Sequence, residues 1–144
     1  MRISLELLWR DPDDGMLELR LSFQSTTQSI AVDFYDYAPS LTAWGDQLVV
    51  FPTSISDEAT FEKGANGDNT GLWLAIRAFV VNGTGATALE IEYEKRDDRL
   101  NREAARFAVP VEAAVINRLG AALKCWDPAE HSPLVFGDGS LEPA

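Results

Sequence analysis

The stretch GLWLAIRAFVVNGTGATALEIEYEK, residues 71–95, holds two runs of alternating side chains around the loop Asn82-Gly83-Thr84-Gly85. Leu72, Leu74, Ile76 and Ala78 share one parity in the first run, and Leu89, Ile91 and Tyr93 share one in the second. Period-two alternation across a Gly-rich connection predicts a β-hairpin with one face in a core. A four-residue loop sets Leu74 against Tyr93, Ile76 against Ile91 and Ala78 against Leu89. A two-residue Asn82-Gly83 turn slides the partners by two and keeps the same faces together. In the first register Arg77 faces Glu90 and Trp73 faces Glu94. The second face of the hairpin carries Trp73, Arg77 and Phe79 beside Glu90, Glu92 and Glu94, the glutamates being ~7 Å apart along the strand.

The same alternation runs outward in both directions. Residues 2–10 and 16–24 alternate around DPDDG, a turn sequence. A loop over Asp11–Gly15 pairs Trp9 with Leu17, Leu7 with Leu19, Leu5 with Leu21 and Ile3 with Phe23 on the core face, and Glu6 with Arg20 outside. A turn through Ser25–Gln28 then sets Phe23 against Ile30, Leu21 against Val32 and Leu19 against Phe34, with Arg20 meeting Asp33. From Pro39 the period changes. Leu41, Trp44, Leu48 and Phe51 recur at helical spacing, with Pro39 in the first turn and Pro52 as the stop. EATFEK (58–63) and EAARFAV (103–109) read as further strands. Val115, Leu119, Ala122, Leu123 and Trp126 form the apolar stripe of a final helix.

The order β-β-β-α-β-β-β-β-α predicts an α+β fold, a curved or split antiparallel sheet of about seven strands packed with two helices. At 144 residues the length suits one domain, able to bury roughly two-thirds of its unfolded surface. Residues 1–126 are expected to form it, and the Pro- and Gly-rich tail 127–144 to be loosely held.

Twenty-three acidic against 12 basic side chains give a net charge of −11. That balance disfavours nucleic acid and anionic membranes as partners and permits a basic protein, although acidity alone also serves solubility. Residues 1–10 lack the apolar core of a secretory signal, and no run approaches the ~20 apolar residues of a membrane span, so a cytoplasmic protein is expected. Cys125 is the only cysteine; it excludes an internal disulfide and reads as a small buried or boundary residue on the last helix.

Catalytic chemistry finds little support in the chain. His131 is the sole histidine and stands in a Pro-flanked tail, a poor setting for a base that must be held by an ordered scaffold. DPDDG lacks the spacing of a calcium loop, and NGTG neither opens a helix nor precedes a lysine, as a phosphate loop would. No enzyme activity, metal or cofactor is therefore expected. The glutamate row has a plain structural reading, a charged sheet surface that deters aggregation. It also has a functional one: Trp73, Arg77 and Phe79 as interface anchors, with Glu90, Glu92 and Glu94 steering a basic partner. On the first reading Trp73 and Phe79 lie under a loop or second layer.

The segments LTAWGDQLVVFP, ATFEKG, GLWLAIRAFVVNGTGATALEIEYE and RFAVPVEAAVINRLGAAL, within residues 30–124, resemble the WapI-type immunity proteins of bacteria. The likeness lies in a Trp-containing helix, a Phe-Glu-Lys-Gly strand, a long hairpin and a final helix with a Leu-Gly pair. It implies a small cytoplasmic protein that binds and neutralises a cognate toxin domain, often a nuclease; the acidity of this chain suits a basic one, and a monomer or weak homodimer is expected. The family shares no catalytic residues to carry over. Two other readings stand beside it: a small-ligand-binding or enzymatic α+β domain using a sheet–helix cavity, and an oligomer whose aromatics form a homodimer interface.

Overall fold

The 71–95 hairpin forms in the four-residue register, with Leu74 opposite Tyr93, Ile76 opposite Ile91 and Arg77 opposite Glu90. A computed structural model describes residues 1–64, 71–96, 102–130 and 133–141. Its elements in chain order are β1 (Arg2–Arg10), β2 (Leu17–Gln24), β3 (Ser29–Asp36), α1 (Ala38–Val49), β4 (Glu58–Lys63), β5 (Gly71–Val80), β6 (Thr87–Arg96), β7 (Arg102–Pro110), α2 (Ala113–Cys125), β8 (Leu134–Gly137) and β9 (Ser140–Leu141). The fold is α+β, with two antiparallel sheets ordered β3-β2-β1-β8-β9 and β4-β5-β6-β7. The chain gathers into two compact units, Met1–Val50 with Ala114–Ala144, and Phe51–Ala113.

In the first unit the cross-strand pairs between β2 and β3 are those the alternation requires: Phe23–Ile30, Leu21–Val32, Leu19–Phe34 and Arg20–Asp33. Leu5, Leu19, Leu21 and Phe23 are fully buried, and Val32 and Phe34 nearly so. β1 follows the expected register from Arg2 to Leu7 and then departs from it. A bulge between Leu7 and Trp9 sets Trp9 opposite Glu18 and Arg10 opposite Leu17. One extra residue reverses the facing of everything after it, because side-chain direction has period two. Trp9, expected in the core against Leu17, is therefore turned to the outer face and is exposed; Leu7 is only half-buried.

Helix α1 starts at Ala38 with Pro39 in its first turn and buries Leu41, Trp44, Gly45 and Leu48. α2 buries Ile116, Leu119, Gly120, Ala122 and Leu123. Its stripe is rotated from the expected one: Ile116 is inside, whereas Val115 and Trp126 are half-buried. The helices cross where glycine meets glycine. A Cβ on Gly120 would stand 2.7 Å from the Val49 amide nitrogen and 2.8 Å from the Gly45 carbonyl oxygen. The Asn117 side-chain amide donates to the Leu48 carbonyl at 2.9 Å, satisfying one of the acceptors that a helix C-terminus leaves open. Cys125, expected to be buried or at the boundary, is exposed.

The tail differs from its expectation. Rather than hanging loose, residues 134–137 form β8 against β1, with Phe136 opposite Ile3 and Leu134 opposite Leu5. Both side chains are buried. Asp138 and Gly139 turn the chain with φ of 51° and 82°, the pair of left-handed conformations a two-residue hairpin demands. The Arg118 guanidinium donates to the Gly139 carbonyl at 2.6 Å and ties that turn to α2. His131 lies outside the described residues.

In the second unit β5 and β6 are central, and Leu74, Ile76, Ala78, Leu89 and Ile91 are completely buried. Phe61 on β4 and Val109 on β7 lie across from Ile76 and Leu89, extending this face to the sheet edges. Among the described residues no helix is long and apolar enough to cross a membrane.

Candidate functional site

Two surfaces compete for the role of a binding site, one in each sheet. The expected one is the second face of β5–β6. The register brings Trp73, Arg77, Phe79, Glu90, Glu92 and Glu94 together as the sequence requires, Arg77 opposite Glu90 and Trp73 opposite Glu94. Their charges, however, are met by arginines. Arg77 pairs with Glu58 at 2.6 Å and Glu90 at 3.5 Å. Arg106, from β7, reaches Glu90 at 3.5 Å and Glu92 at 3.9 Å. Arg96 binds Glu94 at 2.8 Å.

The glutamates thus sit in an ion-pair lattice across all four strands of that sheet. The Glu90 side chain is 17% exposed, and the Arg77 guanidinium lies 4.3 Å from the centre of the Phe79 ring. Trp73 is 8% exposed, and its indole N–H has no hydrogen-bond partner among the described residues. Hot-spot aromatics contribute by losing water on binding; Trp73 has already lost it. Pairs of this exposure contribute ~0–1 kcal/mol each, and they cancel the long-range field that would steer a partner. The arrangement fixes strand register more than it advertises a docking surface.

The other surface was not expected. It lies at the end of the first sheet where β1 and β2 meet the Asp11–Gly15 turn. The β1 bulge puts Trp9, Glu18 and Tyr35 in one cross-strand row, since Trp9 pairs with Glu18 and Glu18 with Tyr35. Tyr37 follows two residues later on the same side, because its backbone is still extended (φ −116°, ψ 149°) before α1 begins. Trp9 is 47% exposed, Tyr35 56% and Tyr37 45%. These are the three large exposed aromatics among the described residues.

Carboxylates hold this surface in place. The Tyr37 hydroxyl donates to Asp14 at 3.0 Å. Asp14 also accepts the Met16 amide N–H at 2.9 Å, and Asp11 accepts that of Asp13 at 2.8 Å. A hydrogen bond to the Glu18 carboxylate, reinforced by its charge, raises the pKa of the Tyr35 hydroxyl. The bond to Asp14 raises that of Tyr37 in the same way. Neither tyrosine ionises at neutral pH, and the Tyr37 ring is oriented by its bond to Asp14. Arg20, in the next row, is held by Asp33 in a two-pronged pair at 2.8 and 3.0 Å.

Asp14 titrates below the usual carboxylate range, first because of the Met16 amide and second because of the Tyr37 hydroxyl. In Tyr37→Phe its pKa should rise but stay below normal, since the Met16 bond survives; carboxyl chemical shifts against pH measure this. The sign for stability follows. A depressed carboxyl stabilises the fold above its unfolded pKa of about 3.9 and ceases to as pH falls through its lower folded value. No protein-family model, curated protein or solved structure matches the chain.

Proposed function

We propose that this protein is an immunity-type inhibitor, which binds a basic toxin domain in the cytoplasm and blocks it without catalysis or cofactor. The observation that carries this reading is where charge and exposed aromatic area coincide. The unit comprising Met1–Val50 and Ala114–Ala144 holds twelve acidic and five basic side chains, and it also holds Trp9, Tyr35 and Tyr37. A toxin that acts on nucleic acid must present lysine and arginine to phosphates. A protein with this balance is attracted to such a surface and repelled by the nucleic acid itself, so it can occupy the site without competing as a substrate. The resemblance to WapI-type immunity proteins agrees with the reading.

The test is co-expression. A toxin domain encoded beside this gene, induced alone in a bacterial host, should stop growth, and growth should return when this protein is made with it. Growth arrest that persists with the protein present at matching levels rules the reading out.

A further inference from the structure

We infer that Trp9, Tyr35 and Tyr37, framed by Asp11, Asp13, Asp14 and Glu18, form the docking surface of this chain for an arginine-bearing face of a protein partner. This rests on the reading of the protein as an inhibitor of a basic polypeptide and assigns the place where that polypeptide binds.

The bulge in β1 is the first ground. Without the extra residue, continued alternation would keep Trp9 on the core side with Leu5 and Leu7. The bulge instead leaves a tryptophan half in water on a sheet whose other face is otherwise well packed. Bulges recur where a strand re-aims a side chain toward a functional surface. A second ground is composition. Trp and Tyr are the residues that most often anchor an interface, since they contribute large area with few rotatable bonds. Tyr37 is already steered by its hydrogen bond to Asp14, and Tyr35 is held on β3 directly across from Glu18, so little freedom is lost on binding.

Charge selects the occupant. Four carboxylates and one guanidinium, Arg10 at the foot of the Asp11–Gly15 turn, accompany the three aromatic rings, so the surface stays net acidic; Arg20, in the next row, is occupied by Asp33. A guanidinium arriving from outside can stack on the rings and bond a carboxylate with two parallel N–H groups, a combination that lysine meets less well. A second copy of this chain fits poorly, because a two-fold interface on this surface would set carboxylates against carboxylates. The lattice on β4–β7 lacks these properties: its glutamates are paired and its tryptophan is buried.

The experiment uses the full chain and a nona-arginine peptide, with nona-glutamate as control, followed by calorimetry at low and high salt. Nona-arginine should bind and nona-glutamate should not. Trp9→Ala should weaken binding about tenfold or more, as loss of an interface anchor does. D11N/D13N/D14N should flatten the salt dependence, asparagine still being able to accept the turn hydrogen bonds. E90Q/E92Q/E94Q should bind as the unmodified protein does. Unfolding midpoints check that each variant is folded; if Trp9→Ala fails that check, Tyr35→Ala takes its place.

Loss of binding in E90Q/E92Q/E94Q but not in Trp9→Ala overturns this surface and leaves the basic-partner reading standing. Failure of the unmodified protein to bind nona-arginine also overturns it, while rescue of growth under co-expression judges the inhibitor reading separately. A dimer in sedimentation that Trp9→Ala converts to monomer assigns the surface to a second copy and overturns the proposal.

Discussion

Gly120→Ala should lower the stability of the protein by about 2 kcal/mol, although alanine is the better helix former by about 1 kcal/mol. The new methyl group would lie 2.7 Å from the Val49 nitrogen, 2.8 Å from the Gly45 oxygen and 2.8 Å from the Leu48 Cβ. The two nearest are main-chain atoms of a helix and cannot swing away like a side-chain tip. Relief requires α1 and α2 to separate, and overpacking of this kind costs ~1–3 kcal/mol before any bond is lost. Separation would also stretch the Asn117–Leu48 bond and loosen the Lys124–Asp46 ion pair, now 2.9 and 3.0 Å. Leu48 and Leu123, both buried at this crossing, would gain water. The steric term outweighs propensity, and Gly120→Val should be worse than alanine. Gly45→Ala, whose methyl would meet the Gly120 carbonyl at 2.8 Å, should act in the same direction. The double variant should fall short of the sum, since helices moved apart by one methyl accommodate the second. Urea unfolding of the four variants measures all of this. An unchanged midpoint for Gly120→Ala would mean that the helices slide apart freely and that the glycine pair sets no spacing.

Those glycines also show what a single chain discloses. At position 45 glycine reads as a weakness in a helix, because propensity is a local property and close approach of a second helix is not. The hairpins were legible for the opposite reason. In β2–β3 a period-two pattern and a short turn set one register, which is the observed one; in β5–β6 the pattern settled the buried face but left two loop lengths open, and the four-residue one is observed. Trp9 was illegible because a bulge has no signature in alternation alone: Leu7, Leu8 and Trp9 are three apolar residues in a row, and either parity buries one of them. For the glutamate row, sequence supplied the side of the sheet and the facing of Arg77 and Glu90, but not the partners from the flanking strands. Arg106 reaches Glu90 and Glu92 only because β7 lies next to β6, and Arg77 reaches Glu58 only because β4 flanks β5. A split sheet was among the expectations, but the pairing of β8 with β1 was not. Asp138-Gly139, a strong two-residue turn signal, was there to be found between Leu134-Val135-Phe136 and Ser140-Leu141.

Ending the chain at Trp126 should leave it largely unfolded, and Phe136→Ala alone should cost ~3–5 kcal/mol, the usual range for removing a buried phenylalanine side chain. Phe136 is 1% exposed and stands opposite Ile3, itself 1% exposed. Its loss opens a cavity beneath β1, and the short β8 has few other anchors, Leu134 being the chief one. Truncation adds to this. β1 pairs with β8 from Arg2 to Leu5, so without β8 those main-chain groups lose their partners and Ile3 and Leu5 lose their cover. A domain of this size is stable by only ~5–15 kcal/mol, and removal of two buried side chains and a ladder of main-chain bonds consumes most of that. Leu141→Ala is the matched control. Leu141 is 56% exposed on β9, and surface changes of that kind stay within ~0.5 kcal/mol. Hydrogen exchange gives the sharper readout: in Phe136→Ala the amides of β1 should exchange faster than those in the β2–β3 ladder, which keeps its pairing. If Phe136→Ala and Leu141→Ala unfold at the same urea concentration as the parent, residues 134–141 contribute nothing to the first sheet and the tail is only draped on it.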